Sequence, residues 1–425
     1  MEDFVAAWRR GAEGGVFEAP MGQTDVTRSP TPRFDLLKLE HYLHVGIQFS
    51  RGCPFNCEFC DIIELYGRVP RTKTNEQVLA ELDALYALGY RGHIDFVDDN
   101  LIGNKRALKK FLPDLQRWQN EKTFPFEFST EASINLADDS ELLSTLAAAN
   151  FFGIFVGIES PDMDTLVLMR KKQNTRRSLQ ESIYKIYDAG IFVFAGFIVG
   201  FDSEKGNTAE GMIECIEDTA IPVCTVGLLY ALPTTQLGRR LLREGRLFPG
   251  ADAPGPQDTG DQCTIGLNFQ TKRPRRDVLA DYRAVLDAVY DPGAYFGRVR
   301  RVGRMLRRGK RRFNTPPPHA LRDLCSLVRL LWRLPGASPG TAGQFWKTML
   351  DCAIHNPRAL RLLVMLSALD LHHGPFSRQV IAQGSADRGY RPWSLERASA
   401  GVSRRKGAFR RLGRRAMWRY QRALA

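Results

Sequence analysis

From residue 44 to about 245 the chain repeats one hydropathy pattern: a short apolar run, a polar or glycine-containing loop, then an amphipathic stretch. The apolar runs at 44–49, 93–97, 124–130, 152–158, 192–199 and 225–232 carry Phe, Val and Ile on successive positions. That is the composition of parallel strands buried on both faces. The stretches at 75–89, 104–119, 139–149, 175–189, 206–218 and 235–244 predict helices, with Thr74, Asn104, Asp138, Thr175 and Asn207 as N-caps. Six βα units in series predict an α/β fold, a partial (β/α)6 TIM-like barrel. A closed barrel takes eight such units, and six are legible.

The flanks differ from this core. Residues 1–43 lack periodicity and read as a lead-in segment, ahead of a barrel over 44–246. Gly, Pro and Asp crowd the stretch from 248 to 270, and a helix is expected at 277–289, so 247–300 reads as a loop-rich extension with one helix. Beyond the Pro316-Pro317-Pro318 break, residues 319–334 and 341–374 place Leu, Val and Trp at helical spacing, predicting a helical C-terminal domain over 301–390. Residues 391–425 read as a basic tail.

Composition narrows the classes. With 44% hydrophobic and 25% charged residues in 425, the chain has the makings of a large core and is not a disordered protein. Its longest apolar run, 190–201, has 12 residues, short of the ~18 that would span a bilayer. The opening residues lack the apolar stretch of a secretory signal, so a cytoplasmic, reducing location is expected. The net charge of +13 is local: residues 298–312 and 397–425 hold nineteen Lys and Arg and no acid, leaving the rest of the chain at −6. Phe409, Leu412, Ala416 and Tyr420 recur at helical spacing within the tail, which suits peripheral contact with an anionic membrane surface, at its inner face, or phosphate contact with RNA, or plain solvation. Nucleic acid is the less favoured partner.

Reducing conditions change how eight cysteines are read. Cys215, Cys224, Cys263, Cys325 and Cys352 are scattered and read as small core hydrophobes. Cys53, Cys57 and Cys60 are clustered, in Arg51-Gly52-Cys53-Pro54-Phe55-Asn56-Cys57-Glu58-Phe59-Cys60-Asp61, in the loop after the first strand. Thiolates are the ligands of iron–sulfur clusters, and three of them would leave one iron of a four-iron cube open to a small molecule. A structural zinc site is the alternative, but zinc pairs its ligands twice and no second pair follows.

This Cys-x3-Cys-x2-Cys motif, opening a series of βα units, resembles the radical SAM superfamily over roughly residues 40–245. The resemblance implies that Cys53, Cys57 and Cys60 hold a 4Fe-4S cluster, that the free iron chelates S-adenosylmethionine, and that Phe59 lies near the adenine. It implies reductive cleavage of the sulfonium to methionine and a 5′-deoxyadenosyl radical that abstracts hydrogen from substrate. Parallel barrels collect active-site residues at strand C-termini. There this chain has Asp98 and Asp99, Glu131, Glu159 and Ser160, and the run Gly196, Ile198, Gly200 and Glu204, which is similar to the family's adenine-contacting pattern. Val97-Asp98-Asp99 stands where the superfamily commonly has Gly-Gly-Glu, so which carboxylate meets the ligand's ammonium stays open.

The wider context, 96–104 with Gly157-Ile158-Glu159-Ser160-Pro161 and 230–237, resembles cobalamin-dependent radical SAM methyltransferases, the hopanoid C-2 methylase group in particular. That implies C-methylation or other C–H functionalisation of a hydrophobic small molecule or lipid, with an electron donor such as flavodoxin or ferredoxin. The group carries a cobalamin-binding domain ahead of the cysteines, and the 52 residues before Cys53 are too few for one. Asp370-Leu371-His372-His373-Gly374 has the wrong spacing for a cobalamin signature. A truncated start, a partner that supplies cobalamin, or chemistry without it all remain open. The contrasting class is a noncatalytic iron–sulfur or nucleic-acid-binding protein using the basic tail.

Overall fold

The computed structural model describes residues 2–17, 24–175, 177–248, 266–306, 328–329, 332–333 and 340–384. Six strands form one sheet: β1 (His44–Ile47), β4 (Gly92–Phe96), β5 (Phe126–Glu131), β6 (Phe151–Glu159), β7 (Phe192–Val199) and β8 (Val223–Leu228). They pair in that order and every pairing is parallel, the arrangement of the expected partial barrel. Between β1 and β4 lies a small antiparallel ladder the hydropathy pattern does not announce, β2 (Ser50–Arg51) with β3 (Arg71–Thr72), which brackets the cysteine loop.

Helices cover the outer face. Val78, Leu82 and Leu85 from Asn75–Ala87, Leu108 and Phe111 from Lys105–Glu121, and Ile183 and Ile186 from Leu179–Asp188 are fully buried. Phe111 packs on Phe96 of β4, which meets Phe128 and Phe151 of the next strands at 5.3 and 5.4 Å. Aromatic pairs at this spacing add to the area they bury. The inner face is different: His44, Gly46, His93, Asp95, Phe155, Gly157, Phe194, Ile198, Thr225 and Gly227 are all open to solvent in whole or part, alternating with buried neighbours. The inner face is thus partly accessible, while Phe192 and Phe194 fill the space at Gly153 and Phe155 that at Gly196.

Several boundaries differ from the expectation for local reasons. The third strand begins at Phe126, because Thr123 and Phe124 take φ of 59° and 55° and close the preceding helix instead. Strand β8 starts two residues before the expected 225 and stops at Leu228. Thr74 caps its helix in a reciprocal box with Gln77, and Asn104 accepts from the Ala107 N–H at 3.1 Å. Asp138 is not a cap: it takes both guanidinium nitrogens of Arg177, and Asp139 accepts from Leu142 instead. Thr175 spends its hydroxyl on Lys172 O, so Ser178 caps the helix Leu179–Asp188. Asn207 stands at its cap position with no side-chain bond. The lead-in holds a helix, Glu2–Arg9, and three short 3-10 turns.

Among the described residues, the helices Arg275–Val289, Pro292–Met305, Thr341–His355 and Leu360–Gly384 follow the barrel. The basic stretch from 298 is partly structural. Arg298 is fully buried, and its guanidinium donates to Ile221 O at 2.9 Å, to Val289 O and to Glu217. A buried cation is tolerable when its donors are matched in this way. Asn356 donates to Gly303 O and Leu306 O, and Tyr295 to Leu366 O at 2.6 Å, joining these helices to one another. Arg361 reaches Glu127 at 3.3 Å, fixing the helical layer beneath the barrel. Cys224 and Cys352 are buried as expected, and His373 stacks on Tyr290 at 5.5 Å inside a helix. Cys263, Cys325, most of 319–334 and the basic tail lie outside the described residues. Among the described residues no helix is long and apolar enough to cross a membrane.

Candidate active site

The cysteine loop sits at the C-terminal end of β1 and is held there by the second expected strand end. Asp98, 1% exposed, accepts from the Phe49 N–H at 2.9 Å, from the Ser50 N–H, and from the Ser50 hydroxyl at 2.6 Å. Burial raises its carboxyl to about 6, against the pull of those donors. Asp98 therefore braces the chain as it enters the loop. Asp99 accepts from Gly52 N at 2.8 Å. Gly52 has φ +98°, and a Cβ there would lie 2.9 Å from Gly67 O, so only glycine makes this turn.

Downstream, the loop is tied to two helices that follow later strands, Met163–Leu168 and Gln236–Arg243. Glu58 N donates to Met169 O and Leu237 N to Glu58 O, both at 2.9 Å. The Glu58 carboxylate takes Arg240 at 2.6 and 3.1 Å; Arg240 also meets Asp202, which Arg246 holds in turn. Gln236 donates to Asn56 at 2.7 Å.

Cys57 is buried, Cys53 and Cys60 half-buried, and all three are free thiols. Burial pushes Cys60 up to about 12 and raises Cys53, and each feels the charge of its neighbours. Coordination to a metal would remove those protons outright. Two amides point at sulfur: Asn100 Nδ2 at 3.8 Å from Cys53 and Gln173 Nε2 at 3.6 Å from Cys57. Weak donors to cluster sulfurs are one of the levers proteins use on iron–sulfur centres. Among the described residues no three His, Cys, Asp or Glu side chains are gathered as they would be around a single metal ion. The donor set of three clustered thiols with N–H groups at sulfur fits an iron–sulfur cluster.

Above the loop lies a pair the sequence reading half anticipated. Glu159, at the end of β6 with φ of 66°, holds Lys171 Nζ at 2.5 Å. Burial alone would lower Lys171, but Glu159, Cys57 and Cys60 outweigh it and its pKa is raised. The ammonium also stands 5.7 Å over the Phe59 ring, which meets Phe201 edge-on at 6.0 Å. A Cβ on Gly157 would fall 2.3 Å from Glu159 Oε1, so glycine makes room for the pair. Ser160 is buried, its hydroxyl accepting from Asp162 N at the start of Met163–Leu168.

Glu131 ends β5 as its one exposed residue, and the protein around it, then Asp95, Asp99 and Asp98, raise its carboxyl above the ordinary value. On β7, Gly196 lies against Phe155, and Ile198 is half-buried on the inner face. Gly200, φ +116°, donates its N–H to Glu204 at 2.7 Å. Thus Phe59, Asp99, Glu159 and the three cysteines gather at one strand-end mouth, while Glu131, Gly196 and Ile198 line the lumen below it. Lys171, Gln173 and Asn100 are the additions. Lys171 follows Glu159 by twelve residues, a spacing with no short-motif signal, whereas Asn100 directly follows the two aspartates. A cavity of about 1010 Å³ lies at the opposite ends of the strands, between the helices Lys105–Glu121, Ser140–Ala148 and Leu179–Asp188, and contains none of these residues.

Comparison with known proteins agrees with this geometry. The Radical SAM superfamily model matches residues 47–216, and a domain of unknown function (DUF4070) matches residues 235–386. An uncharacterized methyltransferase of Synechocystis sp. is 42% identical over 380 residues, 89% of this chain and 69% of the relative. The hopanoid C-2 methylase of Rhodopseudomonas palustris is 36% identical over 353 residues, 82% of this chain and 64% of that protein. The chain therefore spans about two thirds of these relatives' length. Among solved structures, the apo form of the cobalamin-dependent S-adenosylmethionine radical enzyme OxsB covers 89% of this chain and 63% of its own, with TM-score 0.51 and 14% identity, a likeness of fold. On the triad, the barrel and these relatives, the chain is an enzyme of the radical SAM superfamily, in the branch whose named members are methyltransferases.

Proposed function

We propose that the chain binds a 4Fe-4S cluster through Cys53, Cys57 and Cys60 and S-adenosylmethionine at the adjoining strand ends, and methylates or otherwise functionalises a C–H bond of a largely hydrophobic small molecule or lipid. The observation that carries this reading is the cysteine loop itself, fixed by Asp98, Asp99 and Glu58 at the strand C-terminal end of the six-strand barrel. When bound, the cluster and S-adenosylmethionine supply reductive sulfonium cleavage and hydrogen abstraction.

The chain's own residues bind, orient and shield. Phe59 offers an aromatic edge for the adenine, and half-buried Ile198 an apolar contact beside it. Asp99 and Glu131 offer carboxylates to an ammonium or ribose hydroxyls. Lys171 holds Glu159 in a fixed pose and keeps a positive charge near Cys57 and Cys60. An electron donor such as flavodoxin or ferredoxin, and cobalamin supplied from outside the described residues, are parts of the same reading.

The test is anaerobic reconstitution with iron and sulfide, then dithionite and S-adenosylmethionine. The expected result is a brown protein that releases 5′-deoxyadenosine, and loses both properties on Cys57→Ala. An intact cluster that forms no 5′-deoxyadenosine refutes the reading, as does stoichiometric zinc in place of iron. Membrane contact by the tail is a separate part: deleting 397–425 is expected to abolish sedimentation with anionic vesicles, and unchanged sedimentation removes it.

A further inference from the structure

Each thiol of the cysteine loop meets an N–H group. Cys53 faces the Phe55 backbone N–H and Asn100 Nδ2 at 3.8 Å, and Cys60 faces the Ile62 backbone N–H. Cys57, the buried one of the three, is met by Gln173 Nε2 at 3.6 Å. The two side-chain amides come from different βα units. Asn100 directly follows the aspartates after β4, and Gln173 lies in the 3-10 turn Lys172–Asn174 after Met163–Leu168.

These two carboxamides are oriented by different means. Asn100 is 3% exposed, and its Oδ1 accepts from the Ser133 N–H at 3.1 Å, so its NH2 can only face Ser133 Oγ and Cys53. Gln173 is 8% exposed, and its Oε1 is buried with no hydrogen bond. Nothing on the oxygen side selects that pose; the sulfur does. A thiolate has no proton to give, so the amide must present its nitrogen. Leaving a buried oxygen bare costs stability, and Met would fill the same volume without that cost.

The turn that carries Gln173 is fixed by other groups. Asn174 donates to Gly157 O at 3.1 Å and to Ile158 O at 3.0 Å, Lys171 N bonds Leu166 O at 2.9 Å, and Met169 O takes the Glu58 N–H of the cysteine loop. The bond described for the Gln173 side chain goes to sulfur alone. A residue that adds nothing to its own scaffold and points a donor at a ligand atom acts on that ligand.

We propose that Gln173 and Asn100 are positioning residues for electron uptake: their N–H groups hydrogen-bond the cluster-bound thiolates of Cys57 and Cys53 and raise the potential at which the cluster accepts its electron. Reduction adds negative charge that the thiolates share, and a donor at sulfur stabilises the more negative form more. The inference goes beyond the proposed function and rests on it for the cluster alone.

The reconstituted full chain, without S-adenosylmethionine, is titrated with dithionite and followed by EPR of the reduced cluster. Gln173→Met keeps the volume and removes the donor. It is expected to lower the reduced-to-oxidised ratio about tenfold at a given potential, a midpoint ~59 mV more negative for one electron, with iron per chain unchanged. Asn100→Leu is expected to shift the midpoint the same way and also to lose stability in urea, because Ser133 loses its partner. Asn174→Leu is the control: it breaks the bonds of the same turn to β6 without touching sulfur, and should cost stability while leaving the midpoint in place. A Gln173→Met ratio within about twofold of the parent, ~18 mV, overturns the proposal, as does an equal shift in Asn174→Leu. An unmoved midpoint in Asn100→Leu overturns its half. Should Gln173→Met hold no cluster, the parent with 15N in its glutamine side chains decides: a 15N coupling to the reduced cluster in HYSCORE spectra is expected, and its absence overturns the role of Gln173. A parent that binds no 4Fe-4S cluster removes the proposed function and this inference with it, whereas an intact cluster indifferent to Gln173 removes this inference alone.

Discussion

Removing Lys171 is the sharpest single test of how the strand-end mouth is built. Its side chain is 8% exposed and that of Glu159 10%, with 2.5 Å between the charges. Lys171→Met leaves a buried carboxylate with no counter-charge, at a residue already held at φ 66°. Breaking a buried pair from one side costs about 3–5 kcal/mol, far more than the net worth of the pair. The double variant Lys171→Met/Glu159→Gln removes the stranded charge and is expected to recover most of that loss. Because Lys171's pKa is raised, the pair's contribution is whole below its ordinary value near ~10.4 and fades only as pH rises through the higher folded value. Equilibrium urea unfolding at pH 7.5, followed by tryptophan fluorescence, therefore measures it in full. A second readout is independent of stability: taking a cation away from Cys57 and Cys60 is expected to shift the cluster's reduction midpoint to more negative potential in an EPR titration. If Lys171→Met unfolds within about 1 kcal/mol of the parent, as exposed ion pairs do, and the double variant is no more stable, the buried-pair reasoning is wrong.

Three other outcomes follow from the same geometry. Gly52→Ala forces a Cβ against Gly67 O at positive φ, and should lower iron bound per chain after reconstitution while the far-ultraviolet spectrum stays unchanged; full iron content would refute the turn's role. Glu204 is 6% exposed and burial raises it to about 7. The parent should lose stability as pH climbs from about 4.5 to 7 while Glu204→Gln does not, a divergence of about 2–3 kcal/mol; parallel pH profiles would dismiss the buried charge. Arg298→Met strands the carbonyls of Ile221 and Val289 and should cost about 3 kcal/mol or more in urea, whereas Arg301→Met, on the exposed side of the same helix, should cost under about 1. Equal costs would mean the basic run acts through charge alone.

How much of this was legible beforehand depends on whether the signal is local. Phe192–Val199 is read from the sequence to the residue because an unbroken apolar run can only be a buried strand in this setting. Asp139 and Ser178 displace Asp138 and Thr175 as caps because long-range or neighbouring bonds consume the expected side chains, which no sequence window reveals. Arg298 misleads for the same reason. A run of arginines looks solvated until the fold supplies two buried carbonyls, of Ile221 and Val289, and the part-exposed carboxylate of Glu217. The ladder of β2 and β3 has only two residues a side and no periodicity to detect.

The candidate site divides along the same line. Cys53, Cys57 and Cys60 are legible because a single loop supplies all three, and the strand-end carboxylates because parallel βα units repeat. What each carboxylate does is set by partners from other units. Asp98 and Asp99 stand side by side, yet one is sealed beneath the chain at Phe49 and Ser50 while the other turns to Gly52. Glu159 is claimed by Lys171, so of the strand-end acids it is the exposed Glu131, its carboxyl raised with Asp95, Asp99 and Asp98 nearby, that has no described counter-charge. A wall that crowds carboxylates in this way selects for a donor or a cation before any shape is considered. Sequence displays the inner-face glycines singly; only the register shows that Gly157 and Gly196 stand side by side on β6 and β7.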